Sequence, residues 1–185
     1  MGALVRKLPF YDHAEWLSIE DARIRVPSYA VVLWVGVGEK GSVSPDEKAP
    51  KIPALLDTGF NDNFAIREEQ LRDWAGVDPR LFSRLRTQQH ERGTIDRREA
   101  NIWLHPNVPK TIECGAGPPL LLELDEGILV LRGPGKTVQP SAKDLRPRLP
   151  LVGLRALERN RLVVSLDCSR RRVDIGTARR LWFGV

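Results

Sequence analysis

The sequence predicts a mainly β chain, a small closed or sandwiched β architecture with one or two short helices. Its apolar runs are short, rich in Val, Ile, Leu and Trp, and bounded by Gly, Pro, Asn and Asp. Strand and helix patterns do not alternate as a doubly wound sheet requires, and no internal repeat is evident. The length of 185 residues suits one well-buried domain and is short for two.

Taken in order, residues 1–24 are polar with apolar islands at Leu4-Val5 and Trp16-Leu17-Ser18-Ile19. They read as an extended N-terminal arm with at most one short helical turn. Residues 25–37 carry the first strong strand, apolar enough to be buried on much of both faces. Residues 38–50 hold Gly, Ser, Pro and charge and form a loop. The next strand, Ile52-Pro53-Ala54-Leu55-Leu56, is apolar and ends abruptly at Asp57, and Phe64-Ala65-Ile66 resumes an extended course. Residues 67–76 place Leu71 and Trp74 three apart among charges, the pattern of a short amphipathic helix.

Residues 85–104 alternate weakly around a turn at Arg92-Gly93, with 101–104 their best strand segment. Residues 120–124 and 128–131 form an apolar pair around Asp125-Glu126-Gly127, which predicts a β-hairpin. Residues 132–148 read as a long exposed loop. Leu149-Pro150-Leu151-Val152-Gly153 then leads into a helix over 154–160, and two strands, 161–166 and 172–175, close the core. The expected organisation is an arm (1–24), one domain (25–176) and a tail (177–185).

Composition narrows the function. Lys and Arg exceed Asp and Glu by 29 to 24, a net charge of +5 scattered along the chain. Arg97-Arg98, Arg170-Arg171-Arg172 and Arg179-Arg180 have few aromatic neighbours to stack on bases, so no nucleic acid is expected as partner. Cys114 and Cys168 read as two thiols in a reducing cytoplasm, although sequence leaves a disulfide open. His13, His90 and His105 lack zinc-site spacing, so neither metal nor cofactor is expected. The N-terminus shows no signal-peptide core, and the longest apolar stretch, 29–37, is too short to cross a bilayer as a helix. A soluble, cytoplasmic protein with no membrane partner is the expectation.

The chemistry is concentrated at Asp57. An apolar strand delivers a carboxylate straight into a Thr-Gly turn, which is costly unless that carboxylate is solvated, paired or used. An Asp capping its own turn explains a bare Asp-Thr-Gly well. The wider context differs. Leu55-Leu56-Asp57-Thr58-Gly59-Phe60-Asn61 resembles the active-site turn of retropepsin-like (clan AA) aspartic proteases, in particular the bacterial and archaeal branch with Phe after Asp-Thr-Gly. Leu151-Val152-Gly153, opening a short helix, is similar to the hydrophobic-hydrophobic-Gly element that packs beneath that turn in the family. Residues 161–167 and 172–175 are similar to the closing hairpin of bacterial members.

The resemblance spans roughly residues 25–176 and implies the closed small β-barrel of the acid protease fold. It implies an aspartic endopeptidase acting on a peptide or protein substrate. Such chemistry needs two carboxylates sharing a proton, one activating water and the other polarising the scissile carbonyl. This chain holds no second Asp-Thr-Gly or Asp-Ser-Gly, so the second carboxylate would be Asp57 of another copy in a homodimer. Asp57 would be the catalytic residue, and Thr58 would reach across the two-fold axis. Gly59, Leu151, Val152 and Gly153 would support the turn. Gly59, Phe60 and Asn61, with Arg92, Gly93 and Thr94 of a flap over 86–98, would bind substrate. A plain turn Thr, a core Phe60 and an ordinary exposed hairpin are the blander alternatives.

Three departures stand out. Leu154 intervenes between Gly153 and Arg155, so bracing of the acidic turn residue Asp62 by Arg155 is left to the structure. The flap tip has few glycines, and residues 132–148 match no family element. Trp16, Trp34, Trp74, Trp103 and Trp182 read as core or dimer contacts more than ligand platforms. The competing function is a catalytically silent peptide- or protein-binding module on the same fold. A weaker third, a nucleic-acid accessory protein, rests on the basic excess alone.

Overall fold

The computed structural model describes residues 2–10, 12–19, 22–45, 48–90, 93–106, 117–133 and 149–177. The strands are β1 (Gly2–Pro9), β2 (Glu15–Ile19), β3 (Ala22–Val26), β4 (Val31–Gly38), β5 (Ile52–Asp57), β6 (Phe64–Arg67), β7 (Arg84–His90), β8 (Gly93–Arg98), β9 (Asn101–His105), β10 (Leu120–Leu122), β11 (Ile128–Arg132), β12 (Leu151–Gly153), β13 (Leu162–Asp167) and β14 (Arg172–Thr177). Helix α1 (Glu68–Asp73) follows β6, helix α2 (Leu154–Arg159) follows β12, and a 3-10 turn, Pro79–Leu81, precedes β7. The protein is mainly β.

The largest sheet runs β10-β9-β4-β5-β12-β6-β11-β8-β7, beside a three-stranded β1-β14-β13 sheet and a β2-β3 hairpin. Among the described residues this large sheet does not close into the expected barrel. Closure needs its two outer strands to pair. Here one is the three-residue β10, and the other, β7, presents exposed Arg84, Arg86, Gln88 and Gln89. Such solvated polar edges resist strand addition.

β4 is buried on both faces because each face has its own cover. Leu33, Val35 and Val37 point into the main core with Ile52, Ile66, Leu71, Ile102, Ile128 and Val152. Val32 points the other way, into a smaller cluster with Ile19, Ile24, Val26 and Leu149 under the β2-β3 hairpin. In β1, Val5 and Leu8 are 1 % exposed within the main core, opposite Ile175 and Val173 of β14.

Three local expectations change. The arm's helical turn is replaced by β1 and the β2-β3 hairpin. The strand expected over 25–37 is two strands, broken where Tyr29 takes a left-handed φ of 59° just after Pro27. The 120–131 hairpin does not form. β10 pairs with β9, whereas β11 runs parallel to β6 and antiparallel to β8. The tight turn is there, with Gly127 at φ 68°, but a Cβ at that glycine would meet the Arg98 carbonyl at 2.2 Å. That turn docks against β8's end and sends the chain to a new neighbour. Of the expected loop over 132–148, only Arg132 and Gly133 lie within the described residues.

The central strands interlock. β12 pairs parallel with β5 and antiparallel with β6, so the β5–turn–β6 unit straddles it. β6 in turn lies between β12 and β11. Each straddled strand comes from the other half of the chain, so neither half completes its hydrogen bonding alone.

Candidate active site

Asp57 is the last residue of β5 and is half-buried. Its Oδ1 accepts a hydrogen bond from the Gly59 amide at 2.9 Å, and its carbonyl accepts one from the Phe60 amide at 3.1 Å. Among the described residues no Lys or Arg pairs with this carboxylate. Thr58, Gly59 and Asn61 are exposed, whereas Phe60 is half-buried.

The turn is held from below by the second segment singled out in the sequence. Leu151, Val152 and Gly153 align with Leu55, Leu56 and Asp57. The Gly153 amide donates to the Asn63 carbonyl at 3.0 Å, and the Leu154 amide donates to the Phe60 carbonyl at 3.0 Å. A Cβ on Gly153 would meet the Asp62 carbonyl at 2.0 Å and the Phe60 carbonyl at 2.5 Å. Only glycine permits this approach of two main chains.

The side chains around the turn form a polar belt that sequence reasoning missed. Arg155 does not brace Asp62. It pairs with Glu126 at 2.7 Å and Asp125 at 3.1 Å, and Arg159 joins it on Asp125 at 2.8 Å. Residues 155 and 159 are one helical turn apart on α2 and face the same acid. Arg97 of β8 takes the role instead, 2.9 Å from Asp62 and 2.9 Å from Glu126. Fully buried Asn63 donates to Asp125 at 3.1 Å. That bond is the main reason the Asp125 carboxyl lies well below the usual carboxylate range; burial opposes it, and Arg159 and Arg155 reinforce it. The i, i+4 spacing of Arg155 and Arg159 was the one legible signal. The choice of Arg97 depends on strand register.

The hairpin expected as a flap exists as β7 and β8, and Arg92 lies outside the described residues. Gly93 has φ 133°, and a Cβ there would meet the Arg132 carbonyl at 2.2 Å, which ties the hairpin to the end of β11. The Thr94 hydroxyl donates to Gln89 at 2.9 Å, within its own hairpin. In the sheet, β12, β6 and β11 stand between β8 and β5, so Arg97 is the hairpin's described link to the turn.

At the hairpin base lies a second acid, Asp96, 1 % exposed. It accepts from Thr87 at 2.7 Å and Arg98 at 2.9 Å, pairs closely with Arg132, and lies 3.7 Å from Arg84. Burial is the largest influence on its carboxyl and pushes upward, but the Thr87 and Arg98 bonds with the other arginines hold it below the ordinary value.

Among the described residues no group of three His, Cys, Asp or Glu is placed to hold a metal ion, and no helix is long and apolar enough to cross a membrane. Cys168 is free and exposed, and Cys114 and Trp182 lie outside the described residues. Searches of protein-family profiles, curated proteins and solved structures found no match to the chain.

Proposed function

We propose that the chain is one half of a retropepsin-like aspartic endopeptidase that hydrolyses peptide bonds as a homodimer. One observation carries the reading: an unpaired carboxylate, Asp57, sits on a turn that Gly153 clamps from a strand threaded between β5 and β6. The exposure of Thr58 and Gly59 supports it further, because a second copy meeting this face would reach both residues.

In this reading the Asp57 carboxylates of the two copies face each other across the two-fold axis and share one proton. Two like charges a few ångströms apart cannot both ionise easily, so the pair titrates in two separated steps. The ionised partner takes a proton from water, and the protonated one polarises the scissile carbonyl. The Gly59 amide on Asp57 Oδ1 fixes the orientation of the carboxylate. Thr58 donates across the axis to the opposite main chain. An extended substrate lies along Gly59, Phe60 and Asn61, with the β7-β8 hairpin, Arg92, Gly93 and Thr94 at its tip, closing over it. The exposed, unpaired Cys168 suits a cytoplasmic setting.

The test is cleavage of a diverse peptide library by wild type and Asp57→Asn from acidic to neutral pH, with oligomeric state recorded. Activity lost in a variant that remains dimeric is the expected result. A confirmed wild-type dimer that cleaves nothing would overturn the enzyme and leave the catalytically silent binding module.

A further inference from the structure

β4, the neighbour of the strand that carries Asp57, builds a second site with β9 at the end away from Asp57. In the β4–β9 ladder Trp34 lies opposite His105, Gly36 opposite Trp103 and Gly38 opposite Asn101, so all six residues share one face. Gly36 and Gly38 leave that face bare. A Cβ on Gly36 would meet His105 Nε2 at 3.0 Å, and one on Gly38 would meet Trp103 Cζ3 at 2.8 Å. The two rings lean across β4 into the room the missing side chains leave.

Two adjoining cavities of about 500 and 590 Å³ share Trp103 and His105 as a common wall, closed by the Ser44-Pro45 part of the β4–β5 loop. Such volumes suit a small organic ligand. The larger is walled on its far side by Pro118, Pro119 and Leu121, and Lys51 is its one charged lining residue among those described. His105 is 8 % exposed, and its ring makes no hydrogen bond among the described residues. The ring lines the open cavity, where its nitrogens can meet solvent or a ligand. Burial, with Lys51 adding to it, lowers the ring to about 4, so His105 offers one N–H and one lone pair at neutral pH. The site is remote from the turn. Leu56 lies opposite Val31 in the β4–β5 register, and five residues of strand from there to Gly36 span roughly 17 Å.

We propose that the larger cavity is a binding site for a small aromatic carboxylate, its ring against Trp103 and its carboxylate between His105 and Lys51. Trp103, 3 % exposed, lines the apolar wall with Pro118, Pro119 and Leu121, the His105 N–H donates to the acid, and the Lys51 ammonium sets the sign of the charge accepted. This site is independent of proteolysis.

Indole-3-acetate, titrated calorimetrically into the intact protein, is the probe, with indole and cyclohexylacetate as partial probes. Indole-3-acetate saturates one site, and each partial probe binds about tenfold more weakly, having lost one kind of contact. Lys51→Ala, at an exposed position, weakens both acids by about tenfold and leaves indole unchanged. His105→Phe weakens indole-3-acetate without raising affinity for indole, and Asp57→Asn binds as wild type does. Absence of saturation by indole-3-acetate at millimolar concentration would overturn the proposal. So would equal affinity for indole and its acid, or indifference to Lys51→Ala in a variant whose melting is unchanged.

Discussion

Asp57 and Asp96 are both aspartates of the large sheet, one at the end of β5 and one inside β8, and their surroundings are opposite. Asp96 is buried with a hydroxyl and three guanidinium groups around it, of which Arg98 is itself 4 % exposed. Asp57 is half-exposed and receives one main-chain amide. A carboxylate ringed by arginines is committed to its ionised form and to structure. A carboxylate held by an amide alone keeps its geometry and carries no counter-charge. The lesson concerns where the arginines go: Asp62, Asp96 and Asp125 all have one, and the acid on the Thr-Gly turn does not.

The largest expected effect is on activity. Asp57→Asn removes peptide cleavage by about a thousandfold or more, and its urea midpoint stays close to wild type. Asp96→Asn should do the reverse. It leaves Arg98 buried without its counter-charge and costs roughly 3–5 kcal/mol of stability in denaturant unfolding. An Asp96→Asn protein as stable as wild type would break the contrast.

A pH titration of stability separates Asp96 from His105. The His105 ring is lowered from 6.5 to about 4, so the unfolded chain binds that proton more readily. Stability is therefore full above the unfolded value and falls by about 3 kcal/mol as pH drops from 6.5 to 4. Asp96 is lowered below 3.8, so its contribution is complete above that value and is lost only at more acid pH. His105→Phe should flatten the first window and leave the second. Equal slopes in wild type and variant between pH 6.5 and 4 would refute the assignment.

Gly153→Ala forces a Cβ against two carbonyls of the turn and should cost roughly 1–3 kcal/mol, read as a lower melting temperature together with lower turnover. Arg97→Ala is the mildest change, about 1 kcal/mol, because its ion pairs are partly solvated. Lysine there should restore part of the stability, and an unchanged Arg97→Ala melting curve would show that the Asp62 pair contributes nothing.

Local chemistry made much of this legible. Leu71 and Trp74 among charges marked α1, the break after Gly153 marked α2, and the apolar run into Asp57 marked β5 and its turn. Pairings between distant strands were not legible. Asp125-Glu126-Gly127 has the composition of a hairpin turn, yet β10 and β11 find partners elsewhere, since a parallel neighbour such as β6 leaves no mark on the sequence beside it. The same holds for the candidate site. Asp57, Thr58, Gly59 and Gly153 announce themselves by type and order, whereas Arg97 is set by the register of β8 against β11. Pro27 was a readable break within 25–37, outweighed by the apolar residues after it. Trp103, expected as a core or dimer contact, is buried and also walls a cavity, because Gly36 and Gly38 lie beneath its side of the sheet.

The threading of β12 between β5 and β6 bears on the order of events during synthesis. Asp57 emerges from the ribosome long before Gly153, and until Leu151, Val152 and Gly153 arrive, neither β5 nor β6 has its central partner. So long a sequence separation adds loop-closure entropy to this pairing. The clamp on the aspartate turn therefore closes only once residues 151–153 are made. A nascent or truncated chain lacking the final third carries Asp-Thr-Gly without the strand that clamps it.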